Sequence, residues 1–418
     1  MTPASPPMLS PALVARIFVP FALGYFLSYL FRAVNAVIGP ALGAELALDA
    51  GILGLLTSAY FLAFAAFQLP LGILLDRYGS RRTESMLLLC AAAGAFVFAR
   101  AESVAGLVAG RALIGFGVSA CLMAAFHAFV HWFPRERLPL VNGLQLGAGG
   151  LGALAATAPV ELALAVTDWR GVFLVLALLT ATVAVLIFAV VPERGQAPGD
   201  GGSLAGQFRG VARVFSSPLF WRVVPWTVAS QATFLSVQSL WAGPWLRDVA
   251  GLEAGPAATV LAFMAGAMVV GFVLMGTLAE RLGRFGIRPM TVASGGMTLF
   301  MTVQALLLLD WAPLRTGLWI LFGFFGTTGV INYAALSQGF PAQLAGRANT
   351  GLNLLVFVAA FGAQWGIGEI IDLFSPGPGY DPAGYRAAFG LLLLLQLLGM
   401  AWFLWRAHPS RPDGGEEE

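Results

Sequence analysis

One arginine in the middle of an apolar stretch is the residue of this chain best suited to chemistry. Arg32 lies in Gly24-Tyr25-Phe26-Leu27-Ser28-Tyr29-Leu30-Phe31-Arg32-Ala33-Val34-Asn35, where Tyr25, Ser28, Tyr29, Arg32 and Asn35 recur at three- and four-residue steps. Residues so spaced share one face of a helix. A cation at mid-bilayer costs several kcal/mol unless it is paired or faces water, so the stripe predicts an aqueous cavity. A guanidinium offers a planar fork that matches carboxylate or phosphate. The competing reading is a structural ion pair with a buried acid.

Other polar side chains scattered through apolar segments are candidates for the same cavity. They are Gln231 and Gln238 in a polar but uncharged stretch from Pro225 to Trp241, then Asn332 and Tyr333, then Asn353 and Gln364. For each, the alternative is a hydrogen bond that joins two helices. Arg111 is a second arginine inside an apolar segment, and Glu161 and Glu369 lie toward segment ends. These three are the candidates for proton exchange, the proton-coupling role, since burial and neighbouring charge can bring a carboxyl into the working pH range. His127 and His131 stand one turn apart, as do Met264 and Met268, a set whose softness could suit Cu(I) but whose spacing equally suits packing.

The elements that position these residues follow from composition. Of 418 residues, 58% are hydrophobic and 11% charged, too little polar surface to cover a water-soluble globule. Period-2 alternation is absent, which excludes a membrane β-barrel. Apolar runs of about 20 residues recur throughout, and twelve spans are expected, near 14–39, 51–75, 83–101, 103–132, 140–164, 171–192, 222–246, 255–279, 289–309, 314–340, 347–373 and 385–406. The expected fold is an all-α polytopic membrane protein. Its parts are a six-helix bundle over 1–192, a polar connector over 193–221, a second bundle over 222–407 and an acidic tail over 408–418.

All 23 basic residues are arginine. A P-loop requires lysine, so ATP-driven transport by this chain is excluded, and no cofactor is expected. With the N-terminus placed in the cytoplasm, sixteen arginines fall on the cytoplasmic side and five on the other, which predicts cytoplasmic termini and connector in a bacterial inner membrane. No basic block suggests nucleic acid. Cys90 and Cys121 sit in apolar segments as small hydrophobes, and Met1 to Pro11 lacks the features of a cleaved signal peptide.

The halves repeat. Gly72-x-x-x-Asp76-Arg77-x-Gly79 is echoed by Gly276-x-x-x-Glu280-Arg281-x-Gly283, and Trp169-Arg170-x-x-Phe173 by Tyr385-Arg386-x-x-Phe389. Six helices return the chain to the same side, so the two halves are related by an axis along the membrane normal.

These residues carry a resemblance. Gly72-Ile-Leu-Leu-Asp76-Arg77-Tyr-Gly79-Ser-Arg81-Arg82 resembles the loop signature between helices two and three of the major facilitator superfamily. Leu107-x-x-x-Arg111-x-x-Ile114-Gly115-x-Gly117 is similar to its fourth-helix motif, with Ile114 where Gln is frequent. The resemblance implies two bundles rocking about a central site, with Gly72, Asp76, Arg77, Gly79, Arg81, Arg82, Glu280 and Arg281 in gating, Gly72 by close helix packing and Gly79 by a tight turn. Arg32 stands where the organophosphate:phosphate antiporters hold a substrate-binding arginine, but the second basic residue those carriers have in helix seven is missing here. A small monoanion such as a carboxylate is therefore the expected substrate, moved by an ion or substrate gradient by a monomer in the lipid bilayer. Multidrug efflux, Cu(I) import and a non-transporting receptor are the alternatives. Ala148 follows Gly147 where the drug:proton antiporter signature has Pro, which disfavours efflux.

Overall fold

The computed structural model describes residues 10–134, 137–192, 204–375 and 379–406. Among these there is no strand, and helices account for nearly every residue. Twelve helical spans run antiparallel in sequence. We label them α1 (Pro11–Ala33 continuing through Asn35–Leu46), α2 (50–78), α3 (80–100), α4 (Val104–Trp132), α5 (Leu140–Leu164), α6 (Trp169–Val190), α7 (218–248), α8 (Ala254–Arg284), α9 (Pro289–Leu308), α10 (Ala312–Gln338), α11 (Leu344–Phe374) and α12 (Pro382–Trp405). The connector between the bundles contributes a short helix, Leu204–Phe215. Its first residues, 193–203, and the tail 408–418 lie outside the described residues.

Among the described residues, eleven helices are long and apolar enough to cross a membrane. The remaining span, α7, carries Thr227, Ser230, Gln231, Thr233, Ser236, Gln238 and Ser239, all buried. That polarity is largely spent on neighbours. Ser236 Oγ donates to the Ala360 carbonyl, Gln231 Nε2 to the Gly326 carbonyl, and Gln396 Nε2 donates to Thr233 Oγ1. Within hydrocarbon such bonds hold helices together where the hydrophobic effect cannot. Leu151, Leu178, Val185, Leu274 and Leu398 are among many large apolar residues left exposed, as a lipid-facing surface requires.

Local chemistry sets the helix starts. Asp49, Ser103, Asp168 and Asp381 each accept a bond from a backbone N–H in the first turn of α2, α4, α6 and α12. Between α2 and α3 the chain turns at Gly79, whose φ of 77° belongs to the left-handed region that favours glycine. In the second half the repeat is not followed in detail, because α8 continues to Arg284 and the positive φ, 81°, falls at Gly286 instead of Gly283.

The second repeated motif has a shared structural purpose. Trp169 Nε1 donates to Glu45 Oε2 at 2.6 Å, and Arg170 adds a salt bridge to the same carboxylate. Tyr385 donates its hydroxyl to Asp248 Oδ2 at 2.5 Å. In each half, an aromatic donor at the start of the sixth helix clasps an acid at the end of the first.

The bundles meet mainly along α2 and α11, which pack antiparallel in unbroken register. Asp372 accepts from the N–H groups of Ala50 and Gly51 at 2.9 and 2.6 Å. Farther along, Gln364 Nε2 donates to Thr57 Oγ1 at 2.7 Å, the rings of Phe64 and Phe357 stack at 4.1 Å, and Asn353 Nδ2 donates to Gln68 Oε1 at 3.1 Å. These contacts cover about 27 Å of helix. Close backbone approach seals the same end. A Cβ at Gly368 would collide with the Ala50 carbonyl, and one at Gly243 with the Ala36 carbonyl. Beyond Gln68 the seam opens, and a Cβ at Gly72 would meet nothing within 4 Å. The close packing expected at Gly72 is thus not made in this conformation. The bundles are closed at the end remote from the connector and parted at the connector end.

Candidate functional site

A cavity of about 440 Å³ occupies the gap between the bundles. Arg32 lies at its closed end, and toward the connector it is lined by Phe126 and Leu146 on one side and Gly346 and Thr350 on the other. Arg32 is only 6% exposed, yet no described acid lines the cavity or pairs with it. The expected structural ion pair is not formed. Instead the guanidinium sits among π-faces, 4.4 Å from the ring centre of Tyr29, 5.2 Å from Phe357 and 5.7 Å from Phe64. Its Nε has no hydrogen-bond partner. Aromatic faces hold a cation in place without neutralising it, so the site keeps a full positive charge for a ligand.

The other polar groups around Arg32 are mostly engaged with each other. Tyr333 donates to Asn353 Oδ1 at 3.1 Å, Asn353 donates to Gln68, and Gln68 Nε2 donates to the Ser119 carbonyl at 3.4 Å. Gln68 was not among the residues expected from the sequence; its i,i+4 relation to Phe64 placed both on one face, but a lone amide in α2 carried no separate signal. Ser119 turns its hydroxyl back to its own helix, as does Thr350. Asn349 Oδ1 is left unpartnered. Much of the remaining wall is apolar: Leu122, Met123, Phe126, Leu235, Phe272 and Val330.

Of the residues expected at the site, Tyr25, Tyr29, Arg32, Gln231, Tyr333 and Asn353 line this cavity. Four others do not. Asn332 is fully buried and donates to Thr227 Oγ1, and Gln364 is bound between Thr57 and Ser239. Asn35 and Gln238 are buried beside the closed end, each with an unpartnered side-chain oxygen. Helical periodicity assigned these four a polar face without saying whether that face meets the cavity or a neighbouring helix.

Arg111 also lies outside the cavity. It is wholly buried, donates to the Phe31 carbonyl at 3.0 Å, and is boxed by Phe98 and Phe173 at 5.3 and 5.5 Å. Phe31 stands near the break between the two segments of α1, so Arg111 serves a carbonyl that the break exposes, one residue from Arg32. Glu161 lines a small crevice with Arg247 at the closed end, and Glu369 accepts from Trp365 Nε1 at 2.8 Å. The histidines and methionines of the copper set do not converge on the cavity. His127 bonds Ser80 at 2.8 Å in the first half, while Met264 and Met268 are packed in the core of the second, Met264 against Gly323.

Comparison with known proteins fits this arrangement. The profile of the Major Facilitator Superfamily matches residues 21–364. The chain belongs to the Major Facilitator Superfamily. A probable sulfoacetate transporter of Cupriavidus necator is 29% identical over 278 residues, 62% of this chain and 63% of that protein's length. A probable nitrate/nitrite antiporter of Thermus thermophilus is 24% identical over 395 residues, 90% of this chain and 81% of the relative. The Escherichia coli hexuronate transporter is 28% identical over 153 residues, covering 37% and 35% of the two chains. Among solved structures, a bacterial homolog of the human lysosomal transporter Spinster, inward-facing and unoccupied, superposes with a TM-score of 0.75 at 16% identity, covering 96% of this chain and 98% of that one.

Within this superfamily fold, Arg81 of the loop signature donates to the Val191 carbonyl at 3.2 Å and lies over the Phe188 ring, tying the α2–α3 turn to the end of α6. Arg77 lies 5.3 Å over the ring of Tyr78. Arg82 and Arg281 are at the same connector end of the bundles. The side chains of Asp76 and Glu280 lie outside the described residues.

Proposed function

We propose that this protein is a secondary transporter of a small organic monoanion with a largely apolar body, working by alternating access. The observation that carries the reading is the uncompensated cation. Arg32 is buried, lines the central cavity and has no acid partner among the described residues. A charge kept unpaired at such a depth is costly, and an anionic ligand is the group that relieves it. One guanidinium supports one carboxylate or sulfonate head. Gln68, Tyr333 and Asn353 are bonded to one another and Gln231 to the Gly326 carbonyl, so few hydrogen-bonding positions remain for a hydroxyl-rich body, while the wall toward the connector is mostly hydrocarbon with Asn349 as its unpartnered amide. The relatives named for sulfoacetate, hexuronate and nitrate/nitrite transport all concern anions. The connector end is taken as cytoplasmic from the arginine distribution, which makes this conformation inward-open in a bacterial inner membrane. The bundles act as a monomer, with Gly72, Asp76, Arg77, Gly79, Arg81, Arg82, Glu280 and Arg281 controlling the connector-side gate.

The test is a thermal-shift panel on purified protein with benzenesulfonate, phenylacetate, sulfoacetate, glucuronate and nitrate, repeated on Arg32→Gln. A ligand at about 100 times its Kd stabilises the folded state by about 2.7 kcal/mol. We expect the aryl anions to stabilise the wild type most, and the shift to vanish in Arg32→Gln. Stabilisation that persists in the variant would remove Arg32 from binding, and preference for glucuronate would overturn the apolar-body assignment.

A further inference from the structure

A carboxyl group is buried directly behind the cavity wall. Glu84 of α3 is 0% exposed, and among the described residues neither of its oxygens bonds a nitrogen or oxygen donor. From α1 it is faced by Gly24, where an added Cβ would collide with Oε1. From α4 the fully buried thiol of Cys121 reaches it as a weak S–H donor, its one hydrogen-bond partner among the described residues. No charged side chain acts on it from either helix. Ser80 and His127, bonded to each other, lie one turn nearer the connector. Gly24 immediately precedes Tyr25 of the cavity wall, and Cys121 stands between Ser119 and Leu122 of that wall. Arg32 is eight residues, about 12 Å, farther along α1.

An ionised carboxylate so enclosed, with no cation against it, would cost several kcal/mol unless its charge were balanced. An acid of this kind has no packing advantage over leucine or methionine. It does have a use beside a single cation that a transported anion must neutralise.

We propose that Glu84 carries the proton in a one-to-one anion–proton symport, a step that rests on the anion reading above. Charge counting supplies the mechanism. With anion on Arg32 and proton on Glu84 the central region is neutral. With neither bound, Arg32 and ionised Glu84 again sum to zero. With only one of the two bound, a net charge must be carried through the closed, low-dielectric intermediate, which disfavours that crossing. On loading, hydronium transfers its proton to a Glu84 oxygen, forming one O–H bond and leaving water. On release across the membrane that O–H bond breaks and water takes the proton. Nothing is oxidised or reduced.

The test uses full-length protein in proteoliposomes with a trapped pH dye and the probes benzenesulfonate, sulfoacetate, glucuronate and nitrate. Benzenesulfonate stays ionised throughout, so any proton that moves with it is carried by the protein. One pH unit should support up to about tenfold accumulation by the wild type, with one proton per monoanion. Glu84→Gln is fixed in the neutral form and cannot return empty without net charge. It should keep anion-for-anion counterflow near the wild-type rate and lose the accumulation driven by the pH gradient. Glu84→Asp keeps a carboxyl and should shift the pH of half-maximal uptake. Accumulation by Glu84→Gln equal to wild type, or wild-type uptake without proton movement, would overturn the proposal. If Glu84→Gln does not fold, an unchanged pH profile in Glu84→Asp overturns it. Absence of uptake or counterflow of every anion by the wild type would overturn the anion reading and this step together.

Discussion

Removal of the Asp372 carboxylate should tip the carrier toward the conformation open at the end remote from the connector. Asp372 belongs to one bundle and accepts two N–H groups, of Ala50 and Gly51, from the other. Those donors open α2, where the helix dipole adds to the attraction for an anion. Hydrogen bonds to a charged group are worth roughly 1.5–3 kcal/mol each when buried, and this carboxylate is half-buried, so about 2 kcal/mol for the pair is a fair magnitude. The bonds cross the seam that must part, so the loss falls on the closed end and not on the bundles themselves. Asp372→Ala should therefore shift the conformational ratio by about 30-fold, and Asp372→Asn, which retains one acceptor oxygen, by about fivefold. The assay is the distance distribution between spin labels at Val166 and Leu309, which are 87% and 74% exposed in loops of opposite bundles at that end. Cys90 and Cys121 are replaced beforehand. A longer distance should gain population in the order wild type, Asn, Ala. Identical distributions in all three, with only a lower Tm in the variants, would show that the contact supports the fold without selecting a conformation.

Two further expectations follow from the geometry. The α2–α11 register that pairs Thr57 with Gln364 and Gln68 with Asn353 places Gly72 opposite Asn349 when continued. A Gly72→Cys, Asn349→Cys pair should cross-link slowly in the wild-type background and faster with Asp372→Ala; equal rates would refute the continued register. At the other clasp, hydrogen bonds from Arg170 and then Trp169 hold the Glu45 carboxyl below its usual range. A depressed folded-state value contributes stability above the usual glutamate value, and that contribution is lost as pH falls through the folded one. The small Tm difference between wild type and Glu45→Gln should thus persist at the usual glutamate value and close only below it. The pair is exposed enough that solvent screens most of its effect. A difference that did not change with pH would assign the effect to packing of Trp169.

Much was legible in the residues themselves. The twelve spans follow from the length of apolar runs, because hydrocarbon forces each crossing segment to satisfy its own backbone. The Tyr25, Tyr29 and Arg32 stripe was readable because 3.6-residue periodicity places those side chains on one face whatever packs around them. The twofold repeat was visible in Trp169 and Tyr385 before their shared role in clasping Glu45 and Asp248 was known.

Tertiary structure decided which polar groups face the cavity and which face another helix. Asn332 and Gln364 have the same chemistry as Asn353, but the rotation of α10 and α11 turned the first two into helix joints and the third toward Arg32. Glu84 shows the limit most clearly. Beside the arginines of the loop signature it reads as one more charge at a helix start, because sequence records neither the neighbours that strip it of water nor the lack of a cation beside it. Burial is a property of where six helices come to rest against one another, and it is burial that turns an ordinary glutamate into a group able to hold and release a proton.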